Sequence, residues 1–443
     1  MKQSFPKTAR CRWFLVFWLA SLGGTVRLAN GADGPAAETN VQSAALEALV
    51  SDVLEHNPEL NFYKSEIVAA RAERRTAGAW ANPEVAGRLG EKRAEAPGAS
   101  GEGLAWSVTV RQTFEWPGRI ALRKAIANHQ IKLAELGFGQ FRTALTARAR
   151  ALAYGLFAAQ EKTAAAREVA ERFHALREVL VQREPAGLTP VLETRIIEAT
   201  ELTLQRQATE AALAEQRAVL ELNQLRGEPW QARLRVSAPV LAFPGAPGTE
   251  VLIAAAQTNN FELRMRQVEL EQQGFKVALA RNQRYPTFTV EPYFSRERAA
   301  DNETQVGIGI SVPLPLWNRN TGNVEAEEAR RQQAIASMLV TQRNIERQVV
   351  EKAQAYETRL KEMANWRPDS VELFKDAAAL ADRHYRLGAV PITTYVELQK
   401  QYLEAVDALL SSRLQALEDG QELQRLTGLD LSVGRTKGER EGQ

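Results

Sequence analysis

The chain has 443 residues, 25% of them charged, with 56 Lys/Arg against 54 Asp/Glu and one cysteine, Cys11. A formal charge of +2 gives no electrostatic case for nucleic-acid binding. A lone thiol near the N-terminus leaves the rest without a disulfide framework, a cysteine metal site or a cysteine nucleophile.

The chain opens with Lys2, Lys7, Arg10 and Arg12, then the apolar run WFLVFWLASLGG from Trp13, then small residues at Ala29, Gly31 and Ala32. Basic, apolar, small is the layout of a secretory signal peptide, expected over residues 1–31. The run holds about 12–14 apolar residues, short of the roughly 20 that a spanning helix needs. Cys11 precedes that run, so no N-terminal lipid anchor is expected. Residues 1–31 hold five Lys/Arg and no Asp/Glu, which leaves −3 on the remainder. No later stretch is apolar enough for a spanning helix, so a membrane crossing by this chain has to be made of strands.

Next comes an internal duplication. LVSDVLEHNPELNFYKSEI from Leu49 matches LIAAAQTNNFELRMRQVEL from Leu252, and ANPEV at Ala81 matches RYPTF at Arg284, both at an offset of 203. QTFEWPGR from Gln112 lies over PLPLWNRN from Pro313, EPAGLTP from Glu184 over YRLGAVP from Tyr385, and LNQLRG from Leu222 over LQRLTG from Leu423, all at 201. The first repeat is placed at 44–227 and the second at 249–431, with a Pro-rich irregular linker at 228–248 that has room for one short strand. Residues 432–443 form a polar tail, expected to be disordered. Each repeat reads as helix, strand, loop, strand, long helix, tight turn, long helix.

The strands are predicted at about 83–91 and 104–114 in the first repeat, and at about 287–295 and 304–312 in the second. Leu104, Trp106, Val108 and Val110 alternate with Ala105, Ser107, Thr109 and Arg111. Phe288, Val290 and Phe294 likewise oppose Thr289, Glu291 and Tyr293. The pattern suits a half-buried antiparallel sheet, or a membrane barrel with lipid outside and a wet lumen inside. Residues 92–103 and 296–303 are expected to be polar, exposed loops. Four strands cannot close around a lumen, so a barrel has to be completed by other copies. Three copies make twelve strands, whereas two make eight, whose interior side chains would fill.

Between Ile120 and Arg183 there is no proline, which predicts a helix of roughly 95 Å at about 1.5 Å per residue. Apolar residues recur at coiled-coil spacing at Val169, Phe173, Leu176 and Leu180, and again at Leu398, Tyr402, Ala405 and Leu409. Pro117 in the first repeat, and Pro313 and Pro315 in the second, stand where a strand stops and a helix starts. Proline cannot continue a ladder but tolerates a first helical turn. Trp116 and Trp317 mark the same boundary. They suit either the lipid headgroup level or a buried core position.

There is no phosphate-binding GxxxxGK[ST] loop, no nucleophile–base constellation, and no histidine pair at i, i+4 spacing. No cofactor, no metal site and no catalytic residue is expected.

HNPEL, ANPEV, ISVPLPLWNRNTGN, the glycine turns at Gly187 and Gly388 and the duplicated layout together resemble the TolC-type outer-membrane efflux proteins. PLPLWNRNTGN looks like the branch that serves cobalt–zinc–cadmium resistance pumps. The resemblance spans about Ala44 to Leu431. It implies a mainly α fold with membrane β-strands, assembled as a homotrimer. The trimer has a 12-stranded β-barrel in the lipid of the outer membrane of a Gram-negative bacterium, continued by an α-helical barrel in the periplasm. It also implies partnership with a periplasmic adaptor and an inner-membrane resistance-nodulation-division pump, and passive export of heavy-metal cations. Export of drugs, type I protein secretion and a poreless periplasmic coiled-coil scaffold are the alternatives. Adaptor docking would fall at Gly187, Leu188 and Thr189, which fit the family pattern, and at Gly388, Ala389 and Val390, which depart from it after the glycine. Thr394 and Glu397 stand where carboxylates narrow the periplasmic aperture in some relatives. Only one of the two is acidic here, and a solvated helix face accounts for Glu397 equally well.

Overall fold

The computed structural model describes residues 42–96, 99–183, 191–299, 301–367, 370–431 and 433. The expected signal peptide, the first glycine turn with Gly187, Leu188 and Thr189, and nearly all of the polar tail lie outside these residues.

The chain starts with β1 (Gln42–Ala44), α1 (Leu46–His56) and α2 (Pro58–Ala77). The break between the helices is written in HNPEL. Asn57 caps α2 by accepting from the Glu59 amide at 3.0 Å, and Pro58 takes the first turn, where a missing N–H costs nothing. Two strands follow, β2 (Glu84–Ala96) and β3 (Ala99–Phe114), then α3 (Arg119–Arg183) and α4 (Val191–Arg226). The linker carries β4 (Leu234–Val236), which pairs in parallel with β1.

The second repeat follows the same plan. Its elements are α5 (Thr249–Asn259), α6 (Phe261–Asn282), β5 (Phe288–Arg298), β6 (Asn302–Ser311), α7 (Thr321–Ala364), α8 (Ser370–Arg386) and α9 (Ile392–Thr427). Asn260 repeats the role of Asn57. It accepts from the Leu263 amide at 3.1 Å and donates to the Leu426 carbonyl at 2.9 Å, as Asn57 donates to Leu225 at 3.0 Å. Each asparagine therefore ties a helix break to the last turn of a long helix. Those last turns close on left-handed glycines, Gly227 (φ 69°) and Gly428 (φ 66°), which release carbonyls for the asparagines.

Three expectations need correction. The stretches 92–103 and 296–303 are mostly strand, because the ladders continue to Ala96↔Ala99 and Arg298↔Asn302. The second repeat has no single long helix to match the 65-residue α3, since α7 ends at Ala364 and α8 begins at Ser370. The helix after Pro313 and Pro315 starts only at Thr321, so these prolines end a strand without entering a helical turn.

The helical core runs along α3 and α9. Val169, Phe173, Leu176 and Leu180 are all buried, as their spacing predicts. On α9 Tyr402 and Ala405 are buried, but Leu398 and Leu409 are only half-buried; Tyr395, Gln399, Val406 and Leu410 complete the inward face instead. The stripe is shifted because α9 packs on α3, α7 and α8 rather than along one seam. Burial of the Tyr154 and Tyr356 phenols in this core pushes their pKa up to about 12.

Candidate functional site

The sheet has the order β2-β3-β5-β6, so the two hairpins join through an antiparallel β3–β5 ladder. β2 and β6 are edges without a strand partner among the described residues. Register sorts the side chains into two faces. Val85, Leu89, Leu104, Val108, Phe294, Val306, Ile308 and Ile310 share one face and are exposed, the last three at 72–76%. A broad apolar surface of this kind does not face water in a stable protein. The other face carries Arg88, Ser107, Thr109, Arg111, Glu291, Tyr293, Ser295 and Glu297 around a shallow concavity of about 550 Å³. The sheet therefore curves toward its polar side. The Arg111 guanidinium lies 3.3 Å from Glu291. The Tyr293 ring lies over Gly307, where an added Cβ would come within 2.6–2.8 Å of it. At the end of the sheet farthest from the helices, Lys92 contacts Glu297 at 2.5 Å and Glu303 at 3.0 Å.

At the near end the strand-to-helix boundary is ringed by aromatics. Phe114 stacks on Phe288 at 5.2 Å and meets Trp80 edge-on, and Trp116 stacks on Tyr285 at 4.8 Å. After Trp116 and Pro117, Gly118 (φ 86°) turns the chain. Arg119 then braces it, donating to the Asn282 side chain at 3.1 Å and the Tyr285 carbonyl at 2.7 Å, while Asn282 donates to Pro117 at 3.0 Å. The second boundary is looser. Pro313, Pro315 and Trp317 lie on an irregular segment, and Trp317 is 94% exposed. Asn320 anchors its end by donating to the Ala280 carbonyl at 2.8 Å.

The far end of the second helix pair is a Schellman turn. Gly388 adopts φ 73°, its amide donates to Tyr385, and the Ala389 amide donates to His384, both at 2.9 Å. Gly388, Ala389 and Val390 lie at the surface of this turn, Val390 half-covered. Thr394 and Glu397 are exposed three residues apart on α9, and Glu397 accepts from Gln401 at 2.9 Å. Behind them the interior is tied by groups that sequence spacing does not reveal. Tyr395 stacks between Phe173 (4.9 Å) and Tyr385 (5.3 Å). The Tyr385 hydroxyl donates to Glu193 at the start of α4 at 3.3 Å, joining the two repeats. Burial, reinforced by the Glu193 carboxylate, pushes Tyr385 up to about 12, so it is a neutral donor at ordinary pH. Burial also raises Tyr395, with Asp382 beside it.

The sequence pattern of the family described as "Outer membrane efflux protein" matches residues 252–429. A structure described as a membrane protein from Pseudomonas aeruginosa superposes with a TM-score of 0.72 at 20% identity, covering 92% of this chain and 98% of its own. The CmeC outer membrane channel of Campylobacter jejuni gives 0.72 at 15% identity, covering 92% and 94%. The family match lies within the second repeat, and the superpositions extend the likeness in fold to the first. The chain shares the mainly α fold of these outer-membrane channel structures, with a four-stranded antiparallel sheet. The cobalt-zinc-cadmium resistance protein CzcC of Cupriavidus metallidurans is 25% identical over 212 residues, 48% of this chain and 50% of that protein. The alignment thus spans half the length of this curated relative.

Among the described residues no group of three or more His, Cys, Asp or Glu is arranged to hold a metal ion. The charged groups of the sheet instead gather on its polar face. The sequence pointed to Arg111 and Glu291 on that face but not to Lys92, Glu297 and Glu303. Their signal was alternation that continued into segments too polar and glycine-rich to read as strands.

Proposed function

We propose that the chain is one protomer of a homotrimeric exit duct in the outer membrane. It would serve a tripartite resistance-nodulation-division system that exports heavy-metal cations, with a periplasmic adaptor and an inner-membrane pump as partners. The observation that carries this reading is the four-stranded sheet with an exposed apolar face and unpartnered edges at β2 and β6. Each unpaired backbone group in lipid costs several kcal/mol, and pairing β6 of one copy with β2 of the next removes every edge. Three copies supply twelve strands and leave a water-filled bore. The duct is passive, and its energy comes from the pump. The metal substrate rests on the likeness to CzcC and on the PLPLWNRNTGN segment.

Within this reading, Gly388, Ala389 and Val390 form one adaptor-docking tip, and Gly187, Leu188 and Thr189 the other. Glu397, with Thr394 beside it, faces the periplasmic aperture as a ring of three carboxylates that repel one another and attract cations. Trp116, Pro117, Pro313, Pro315 and Trp317 mark the inner membrane-water boundary of the barrel.

The test is the mass of the detergent-solubilised protein together with its conductance in planar bilayers. Conducting trimers are expected. A monomer that never inserts refutes the duct. Deletion of the gene should sensitise cells to one or more of cobalt, zinc and cadmium; sensitisation to drugs alone moves the substrate to the alternative class.

A further inference from the structure

The polar face of the sheet is not uniform in charge. In the half nearer the helices it carries Glu84, Arg88, Arg111 and Glu291, two of each sign. Glu84 pairs in register with Arg111, which in turn contacts Glu291. In the far half it carries Lys92, Glu297 and Glu303, and here the charges do not cancel. One ammonium sits between two carboxylates, at 2.5 and 3.0 Å, and leaves one net negative charge per chain. Glu303 is further held by Gln305, which donates to it at 2.7 Å.

The sequence builds this cluster by leaving room for it. Lys92 is on β2, its acidic partners are on β5 and β6, and β3 runs between them. The β3 residues that it must cross are Gly103, its register partner, and Ala105, which pairs with Glu297. A side chain at Gly103 would collide with the Arg298 carbonyl, 1.8 Å from an added Cβ. The backbone approach therefore excludes any bulk that would block the lysine. At the same height the outer face changes character. Glu91, Arg93, Arg296 and Thr304 stand here beside Leu104 and Trp106, so the face is mixed, and Arg93 pairs with Glu102 at 2.8 Å. This level thus lies where the apolar band gives way to charge, at the outer mouth.

We infer that Lys92, Glu297 and Glu303 form a charge station at the outer mouth that favours small hydrated cations over anions. The inference rests on the trimeric duct proposed above. Twelve strands at about 4.8 Å spacing and a tilt near 40° give a barrel radius of roughly 12 Å. The inward side chains shorten that distance to about one Debye length at physiological salt, near 8 Å. Three stations, each with one net negative charge, therefore project a field across much of the bore. At 1 M salt the Debye length falls to about 3 Å and the field is confined to the wall. Lys92 has two effects: it ties three strands together and it holds the net charge to one unit.

The test is the potassium-to-chloride permeability ratio of the reconstituted full-length protein in about 0.1 M and 1 M salt. Wild type is compared with Lys92→Gln, Glu303→Gln and the double variant Glu297→Gln/Glu303→Gln. The net charge per station becomes −2, 0 and +1 in the three variants. The expected order at low salt is Lys92→Gln above wild type, above Glu303→Gln, above the double variant, with steps of roughly twofold that shrink at 1 M. Glu303→Gln changes a single side chain that is 49% exposed, so it keeps the test sound if the double variant fails to assemble. A conducting wild type whose ratio is the same in every variant overturns the station and leaves the duct standing. A ratio that responds only to Glu397→Ala also overturns it and moves selectivity to the periplasmic end. A protein that never conducts overturns both readings.

Discussion

Asn260→Ala removes two hydrogen bonds from a side chain only 3% exposed. The lost cap on the Leu263 amide costs about 1 kcal/mol. The Leu426 carbonyl, on a residue 2% exposed, loses its donor in a place water does not reach, which costs about 1–3 kcal/mol more. The sum is about 2–4 kcal/mol, concentrated where α5 meets α6 and the last turn of α9. Asn260→Ser separates the two contributions, since a serine still caps but cannot reach Leu426. Its expected cost is the carbonyl share alone. Hydrogen exchange read by mass spectrometry on peptides around 260–266 and 424–430 is the assay. At 1.36 kcal/mol per tenfold, protection should fall by roughly 30-fold to 1,000-fold in the alanine variant, with a smaller loss in the serine variant. The equivalent substitution Asn57→Ala should produce the same loss around 57–63 and 223–229 and leave the second site alone. Unchanged exchange in Asn260→Ala, or a loss spread evenly over the chain, would refute the clamp.

Gly388→Val should destabilise the turn by about 1 kcal/mol or more through its left-handed backbone alone, because nothing lies within 4 Å of an added Cβ; Gly388→Asn should be milder. Limited proteolysis at 386–391 distinguishes them, and equal rates would contradict the argument. Tyr385→Phe cuts the hydrogen bond from this phenol to Glu193 but keeps the stack on Tyr395. It should lower stability by about 1 kcal/mol and raise exchange near 191–197, with no change at the sheet. Hydrogen bonds from Arg425, at 2.6 and 2.7 Å, hold the Glu422 carboxyl below its usual range against the opposing effect of burial. A lowered carboxylate contributes stability above its unfolded pKa, near 4.3, and loses it as pH falls through the folded value. Arg425→Met should therefore be less stable than wild type at neutral pH, with a deficit that shrinks below about pH 4. A deficit independent of pH would assign the effect to packing.

Much of this molecule follows from local chemistry. Asn57-Pro58 breaks and restarts a helix because an asparagine cap and a first-turn proline do so anywhere. The strand faces follow from alternation of two, the long helices from the absence of proline, and the duplication from simple self-comparison. The reach of the strands did not follow, because AEAPGASGEG has the composition of a loop. Its described residues become ladder because β2 and β3 pair with each other as far as Ala96↔Ala99. The broken partner of α3 and the shifted stripe on α9 were likewise set by neighbours, since a helix in contact with several others has no single seam to declare. The charge station is the clearest case. Lys92 stands more than 200 residues from Glu297 and Glu303, and no spacing rule connects them. Register, the joining of the two hairpins through β3 and β5, and a glycine where a side chain would have stood in the way bring the three together. Periodicity reports which face a residue takes, but only pairing determines which residue it meets there.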